Sequence, residues 1–141
     1  MKQRVSIAPH LTRIAAMPVG ELAIVVGIFA VLATASMHWV VRNITAALPS
    51  DLGDPLLNTW ILAWDADRFR HGLDGFWDAP MFFPYPSALA YSEHLLGVAI
   101  FTAPLQWLTD NPILVYNVAH LGSFVLAGTG MYLLTKSITG S

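Results

Sequence analysis

The side chains of this 141-residue chain that could do chemistry lie mostly between Arg42 and His94. Asp54 stands on a Gly53-Asp54-Pro55 turn, with Asp51 just before it. A carboxylate in such a place can take the proton of an incoming hydroxyl as a general base. An Asp followed by Pro also starts helices, with its side-chain oxygen accepting a backbone N–H. The two roles are compatible, and both stay open for Asp54. Arg68 and Arg70 offer planar guanidinium groups suited to a phosphate. Ser92-Glu93-His94 brings a carboxylate and an imidazole to the edge of an apolar run, where they could bind a phosphate-linked head group or relay a proton. An interfacial terminus with both groups in water is the alternative.

Asp65-Ala66-Asp67 has the spacing of an Asp-x-Asp string that holds a divalent cation. On a helix, residues two apart point about 200° from each other and cannot chelate one ion. Pairing of Asp65 with Arg68 and of Asp67 with His71 fits helical spacing better, which predicts a solvated polar face. A divalent cation therefore remains open, and no cofactor is specified. His120, with Tyr116 one turn earlier, and His38 each fall inside an apolar run. An ionisable group there is either functional or a neutral ring bonded to a neighbouring helix.

These residues need elements to hold them, and the composition says which solvent surrounds those elements. Hydrophobic residues make up 55% of the chain and charged residues 11%, against about 25% charged in ordinary soluble domains. Leu22 to Val41 contains no Asp, Glu, Lys or Arg, and at about 1.5 Å per residue it reaches across a hydrocarbon core of roughly 30 Å. The net charge of -2 gives no support to nucleic-acid binding. With no cysteine, disulfides, thiol catalysis and thiolate metal sites are excluded.

The pattern predicts an all-α integral membrane protein with three transmembrane helices: 22–41, 95–108 (extendable back to 88) and 112–135. Lys2, Arg4 and Arg13 precede the first span, which predicts a cytoplasmic tail over 1–21 and an external loop over 42–94. A small-x-small sequence at Ala33-Thr34-Ala35 would also suit signal cleavage, but the apolar run continues past it. Thr109-Asp110-Asn111-Pro112 predicts a tight turn between the last two spans. Ala119, Ser123, Ala127 and Gly130 predict a stripe for close helix packing.

Within the loop, Asp54-Pro55 opens an expected helix over about 55–71. Leu56, Leu57, Trp60, Ile61 and Trp64 form its apolar face, and Gly72 follows it. Such a helix beside a span should lie in the membrane interface. The aromatic and proline-rich stretch from Gly75 to Pro86 should hug the headgroup layer or wall a cleft opening onto it. Asn43-Ile44-Thr45 fits a glycosylation sequon but lies close to the bilayer.

Gly53-Asp54-Pro55-Leu56-Leu57-Asn58-Thr59-Trp60 with Leu62-Ala63-Trp64, Phe83-Pro84-Tyr85, Tyr91-Ser92-Glu93-His94 and Tyr116-Asn117 together resemble the first external loop and flanking helices of bacterial GT-C-type membrane glycosyltransferases. The resemblance covers roughly residues 20 to 138 and is one of pattern. It implies a multi-pass protein of the bacterial inner membrane, acting with a polyprenyl-phosphate-linked sugar and a hydroxyl acceptor. By position Asp54, and after it Asp51, matches the functional acid of that loop. Arg68, Arg70, Glu93 and His94 would contact substrate. Larger members have more spans and further acids in the next external loop. The expectation is thus an N-terminal fragment, inactive alone, whose partners are the bilayer and a missing C-terminal membrane segment; the external end at 136–141 would be truncated. A non-catalytic membrane scaffold or assembly subunit, or a transporter fragment, is the alternative.

Overall fold

The computed structural model describes residues 17–50 and 53–139. Among them the chain is all-helical, with no strand. The helices are α1 (Val19–Ser36), α2 (His38–Arg42), α3 (Asp54–Arg70), α4 (Leu96–Thr109) and α5 (Pro112–Thr139), with a 3₁₀ turn over Ala88–Tyr91. Two helices, α1 and α5, are long and apolar enough to cross a membrane. Asp51 and the basic residues Lys2, Arg4 and Arg13 lie outside the described residues.

The chain forms two compact units, one of Met1–Ser36 with Leu121–Ser141 and one of Met37–His120. In the first, α1 runs antiparallel to the later part of α5. Glu21 pairs with Lys136 and accepts the Tyr132 hydroxyl, while farther along α1 the Phe29 ring lies where a Cβ on Gly128 would stand. The close approach thus falls at Gly128. Ala127 and Gly130 of the expected stripe are exposed. Ile24, Val31, Leu32, Leu126, Leu134 and Ile138 all face outward, an apolar surface that a soluble helix pair would have to cover.

The apolar run over 22–41 is not one helix. It breaks at Met37 between α1 and α2. Thr34 bonds back to the carbonyls of Ala30 and Val31, and Ser36 to that of Leu32. Hydroxyls that bond back in this way bend helices and compete with their ladders.

In the second unit α3 packs on α4 and is buried on two sides. Ile61 joins Ala79 and Leu89 in one cluster, bordered by Trp60, Trp64 and Met81. Leu62 joins Ala99 and Val115 in another, bordered by Phe69, Leu105 and Tyr116. The Trp107 indole donates to the Ala66 carbonyl at 2.8 Å and ties α4 to α3. α3 ends where Gly72 takes φ +67 and Leu73 N–H reaches the Arg68 carbonyl at 2.9 Å, the left-handed stop that glycine permits.

α4 has 14 residues with Pro104 inside, roughly 21 Å of helix, short of the roughly 30 Å hydrocarbon core. The Ala88–Tyr91 turn does not extend it, because Ser92 is in extended backbone. Asp110 takes φ +49 in the turn that follows. Asn111 then caps α5 by accepting Leu114 N–H at 2.9 Å, ahead of Pro112 at the helix start. Asn117, fully buried, donates to the carbonyls of Ile44 and Ala47, both at 2.8 Å. Asn111 also holds the Thr45 carbonyl at 3.1 Å. These bonds fix the segment that follows α2. The sequon residue Asn43 turns its amide to the Trp39 carbonyl at 2.9 Å.

Candidate functional site

Asp54 is the first residue of α3, with Pro55 after it and Gly53 in the cap position. The side chain expected to cap the helix is therefore inside it. Asp54 is exposed, and its carboxylate acts electrostatically on the Tyr116 hydroxyl. Tyr116 in turn stacks on His120, with ring centroids 5.6 Å apart. An exposed carboxylate at a helix start can receive a proton from a hydroxyl that approaches from solvent.

The two arginines sit at the other end of α3. From Asp54 to Arg68 is 14 positions on one helix, roughly 21 Å, too far for one small head group to touch both. Arg68 is committed internally: it pairs with Asp67, donates to the Asp74 carbonyl at 3.2 Å and lies 4.6 Å over the Trp64 ring. That guanidinium holds the Asp67 carboxyl below its ordinary range. Arg70 lies 5.3 Å over the Trp107 ring and lines a cleft of about 300 Å³ with Asp67, Gln106 and Asp110. Two carboxylates on that rim oppose an anion.

Glu93 is exposed. His94 faces inward: its Nδ1 accepts Leu96 N–H at 3.2 Å, and its Nε2 is buried with no partner among the described residues. The ring packs between Phe76 and Trp77, at 5.0 and 4.9 Å. In this conformation neither ring nitrogen is presented to a ligand outside.

What lies inside with His94 is Asp65. Periodicity assigns this residue to a solvated face, yet it is 0% exposed. It follows Ile61 by four and Leu62 by three, so it shares their side of the helix, and that side is covered by the 79–89 segment and α4. Neither carboxylate oxygen has a partner among the described residues, and Asn58 Oδ1, two turns earlier, has none either. Burial pushes the Asp65 carboxyl up from 3.8 to about 6, and the nearby His94 opposes that shift. The expected pairing with Arg68 does not form. Asp67 does meet His71, at 3.6 Å.

Trp60 and Trp64 stack at 5.8 Å and pack into the Ile61 cluster. The outward aromatics are on the following loop instead. Phe82 is 68% exposed, Phe83 87% and Tyr91 86%. Phe82, Tyr85, Pro86, Ala88 and Tyr91 line an apolar groove of about 420 Å³. Phe82 at φ +58 and Ser87 at φ +54 set its bends, and Asp78 pins it by accepting Ser87 N–H at 2.8 Å.

Among the described residues no hydrogen bond, ion pair or ring contact joins Asp54 to Arg68, Arg70, Glu93 or His94. Nor do three or more His, Asp or Glu side chains converge there as a metal set. No family model, characterised protein or solved structure matches the chain.

Proposed function

We propose that this chain carries the first external loop, with its flanking helices, of a bacterial inner-membrane transferase that moves a sugar from a polyprenyl-phosphate donor to a hydroxyl acceptor. The observation that carries the reading is Asp54: an exposed carboxylate at the head of a half-buried helix, in a chain with two helices fit to cross a membrane. In the reaction the acceptor O–H gives its proton to Asp54. The acceptor oxygen bonds to the anomeric carbon, and the bond from that carbon to the phosphate oxygen breaks. Polyprenyl phosphate leaves with the electron pair. The aromatic groove offers an apolar wall for the lipid part of the donor. α4 serves as a third membrane segment, its short length completed by neighbouring protein, and the N-terminus is cytoplasmic. Arg70 and Glu93, which reach solvent, serve as contacts to parts of a large substrate away from the head group that reacts at Asp54, with Asp51 as the second acid.

The test is transfer of labelled sugar from polyprenyl-phosphate glucose, mannose or arabinose in membranes that contain the protein as it is expressed in its host. Asp54→Asn should abolish transfer and leave protein level unchanged. Equal turnover in the variant removes Asp54 from the mechanism.

One observation favours a second reading, a non-catalytic membrane scaffold. Arg68 and His94 are both spent on internal contacts, as they would be where the loop serves only to hold a shape. Sugar transfer that needs Asp54 rules this reading out.

A further inference from the structure

The buried acid of α3 has no place in the transfer chemistry, and its surroundings are unusual. Both Asp65 oxygens are sequestered without a hydrogen bond, in a residue that is 0% exposed. An ionised carboxylate in that position is costly. The one group with a charge to offer is His94. Its Nδ1 accepts Leu96 N–H, so the proton of the neutral ring is on Nε2, and that nitrogen is buried and unpaired too. Neither a hydrogen bond nor an ion pair joins the two side chains. Among the described residues the other titratable groups of the packed elements face elsewhere, and Tyr85 and Tyr91 are exposed. α4 carries none, Arg68 is turned to Asp67 and Asp74, Asp78 is held by Ser87, Glu93 is exposed, and Tyr116 feels Asp54.

His94 also connects to the groove. Its ring rests on Phe76 and Trp77. Trp64 donates to the Phe76 carbonyl at 3.0 Å, and the Trp77 carbonyl accepts Leu89 N–H at 3.1 Å. Leu89 belongs to the 3₁₀ turn whose Ala88 and Tyr91 line the groove. A movement of His94 is thus passed to the groove wall through the Trp77 ring and one backbone bond.

We propose that Asp65 is a buried proton switch that sets the shape of the aromatic groove through His94. With the proton on Asp65 the buried carboxyl carries no charge, and His94 Nδ1 keeps its bond to Leu96 N–H. When the proton leaves, the buried anion attracts the unpartnered Nε2–H of His94, the group whose charge it already feels. The ring turns to it, gives up Leu96 N–H, and draws Phe76 and Trp77 with it. The groove has the shape described above on the acid side and a different one on the basic side. This inference stands apart from the transferase reading, since it needs neither Asp54 nor a sugar.

The chain has no cysteine, so Phe83→Cys gives one labelling site beside the groove. The labelled protein, in lipid nanodiscs, carries an environment-sensitive dye. Its emission should shift with pH, half complete near the value of about 6 for Asp65. In Asp65→Asn the emission should stay at the acid value throughout. In His94→Gln the dye shift should be lost while Asp65 still titrates. The infrared C=O stretch of a protonated carboxyl, present in the wild type on the acid side and lost over the same range, reads the switch even if Asp65→Asn does not fold. A dye shift that survives Asp65→Asn overturns the proposal, as does a wild type with no dye shift or no such carboxyl band.

Discussion

The indole N–H of Trp107 donates to the carbonyl of Ala66 at 2.8 Å, across 41 residues of sequence. It is a hydrogen bond between two helices that also meet through apolar packing and the Arg70 guanidinium over the Trp107 ring, and Ala66 is buried. Trp107→Phe keeps most of the ring and removes the donor. The expected loss is about 1 kcal/mol, that of one hydrogen bond, read as a shift in the unfolding midpoint in detergent.

Asn117 should matter more. Its amide satisfies two carbonyls that no helix ladder reaches, and leaving buried acceptors unpaired costs about 1–3 kcal/mol each. Asn117→Leu should lower stability by more than Trp107→Phe and loosen the 43–47 segment. Faster amide exchange confined to Ile44, Ala47 and their neighbours would show it.

The stability of the second unit should depend on pH through Asp65. Burial raises the folded carboxyl from 3.8 to about 6, so between those values the folded chain binds the proton and the unfolded chain does not. Stability is therefore fullest below 3.8 and falls until the pH passes about 6. At about 1.4 kcal/mol per pKa unit the whole fall is roughly 3 kcal/mol. Asp65→Asn should flatten that slope in a denaturation series, whereas an unchanged slope would assign the titration elsewhere.

Gly128 and Gly130 make a matched pair. A Cβ at Gly128 runs into the Phe29 ring, while one at Gly130 meets nothing within 4 Å. Gly128→Leu should cost about 1–3 kcal/mol, the usual range for overpacking, and should weaken the pairing of Glu21 with Lys136. Gly130→Leu should leave both unchanged. Cysteines in place of Glu21 and Lys136 would report the approach of the two helices at that end by their cross-linking yield, with and without each glycine substitution.

How far the sequence spoke can be seen residue by residue. Asp54-Pro55 marked the start of α3 to within one position, and Asn111-Pro112 marked the start of α5, because proline placement is set by local sterics. Asp65 departs from its expected place for a tertiary reason. The apolar periodicity of α3 predicts one buried face, but α3 has two, one against the 79–89 segment and one against α4. The signal was the distance of four residues from Ile61. The break at Met37 carries no glycine or proline; Thr34 and Ser36 were its only mark. The small-residue stripe predicted close packing in the right helix but not at the glycine that Phe29 selects.

Sidedness is the premise on which the transferase reading rests. Leu73 is half exposed in the loop after α3, and the native chain has no cysteine, so Leu73→Cys can be probed in intact cells with a membrane-impermeant maleimide. Labelling from outside, without permeabilisation, is the result this account predicts. Labelling that appears only after the inner membrane is opened would place the loop in the cytoplasm and contradict it.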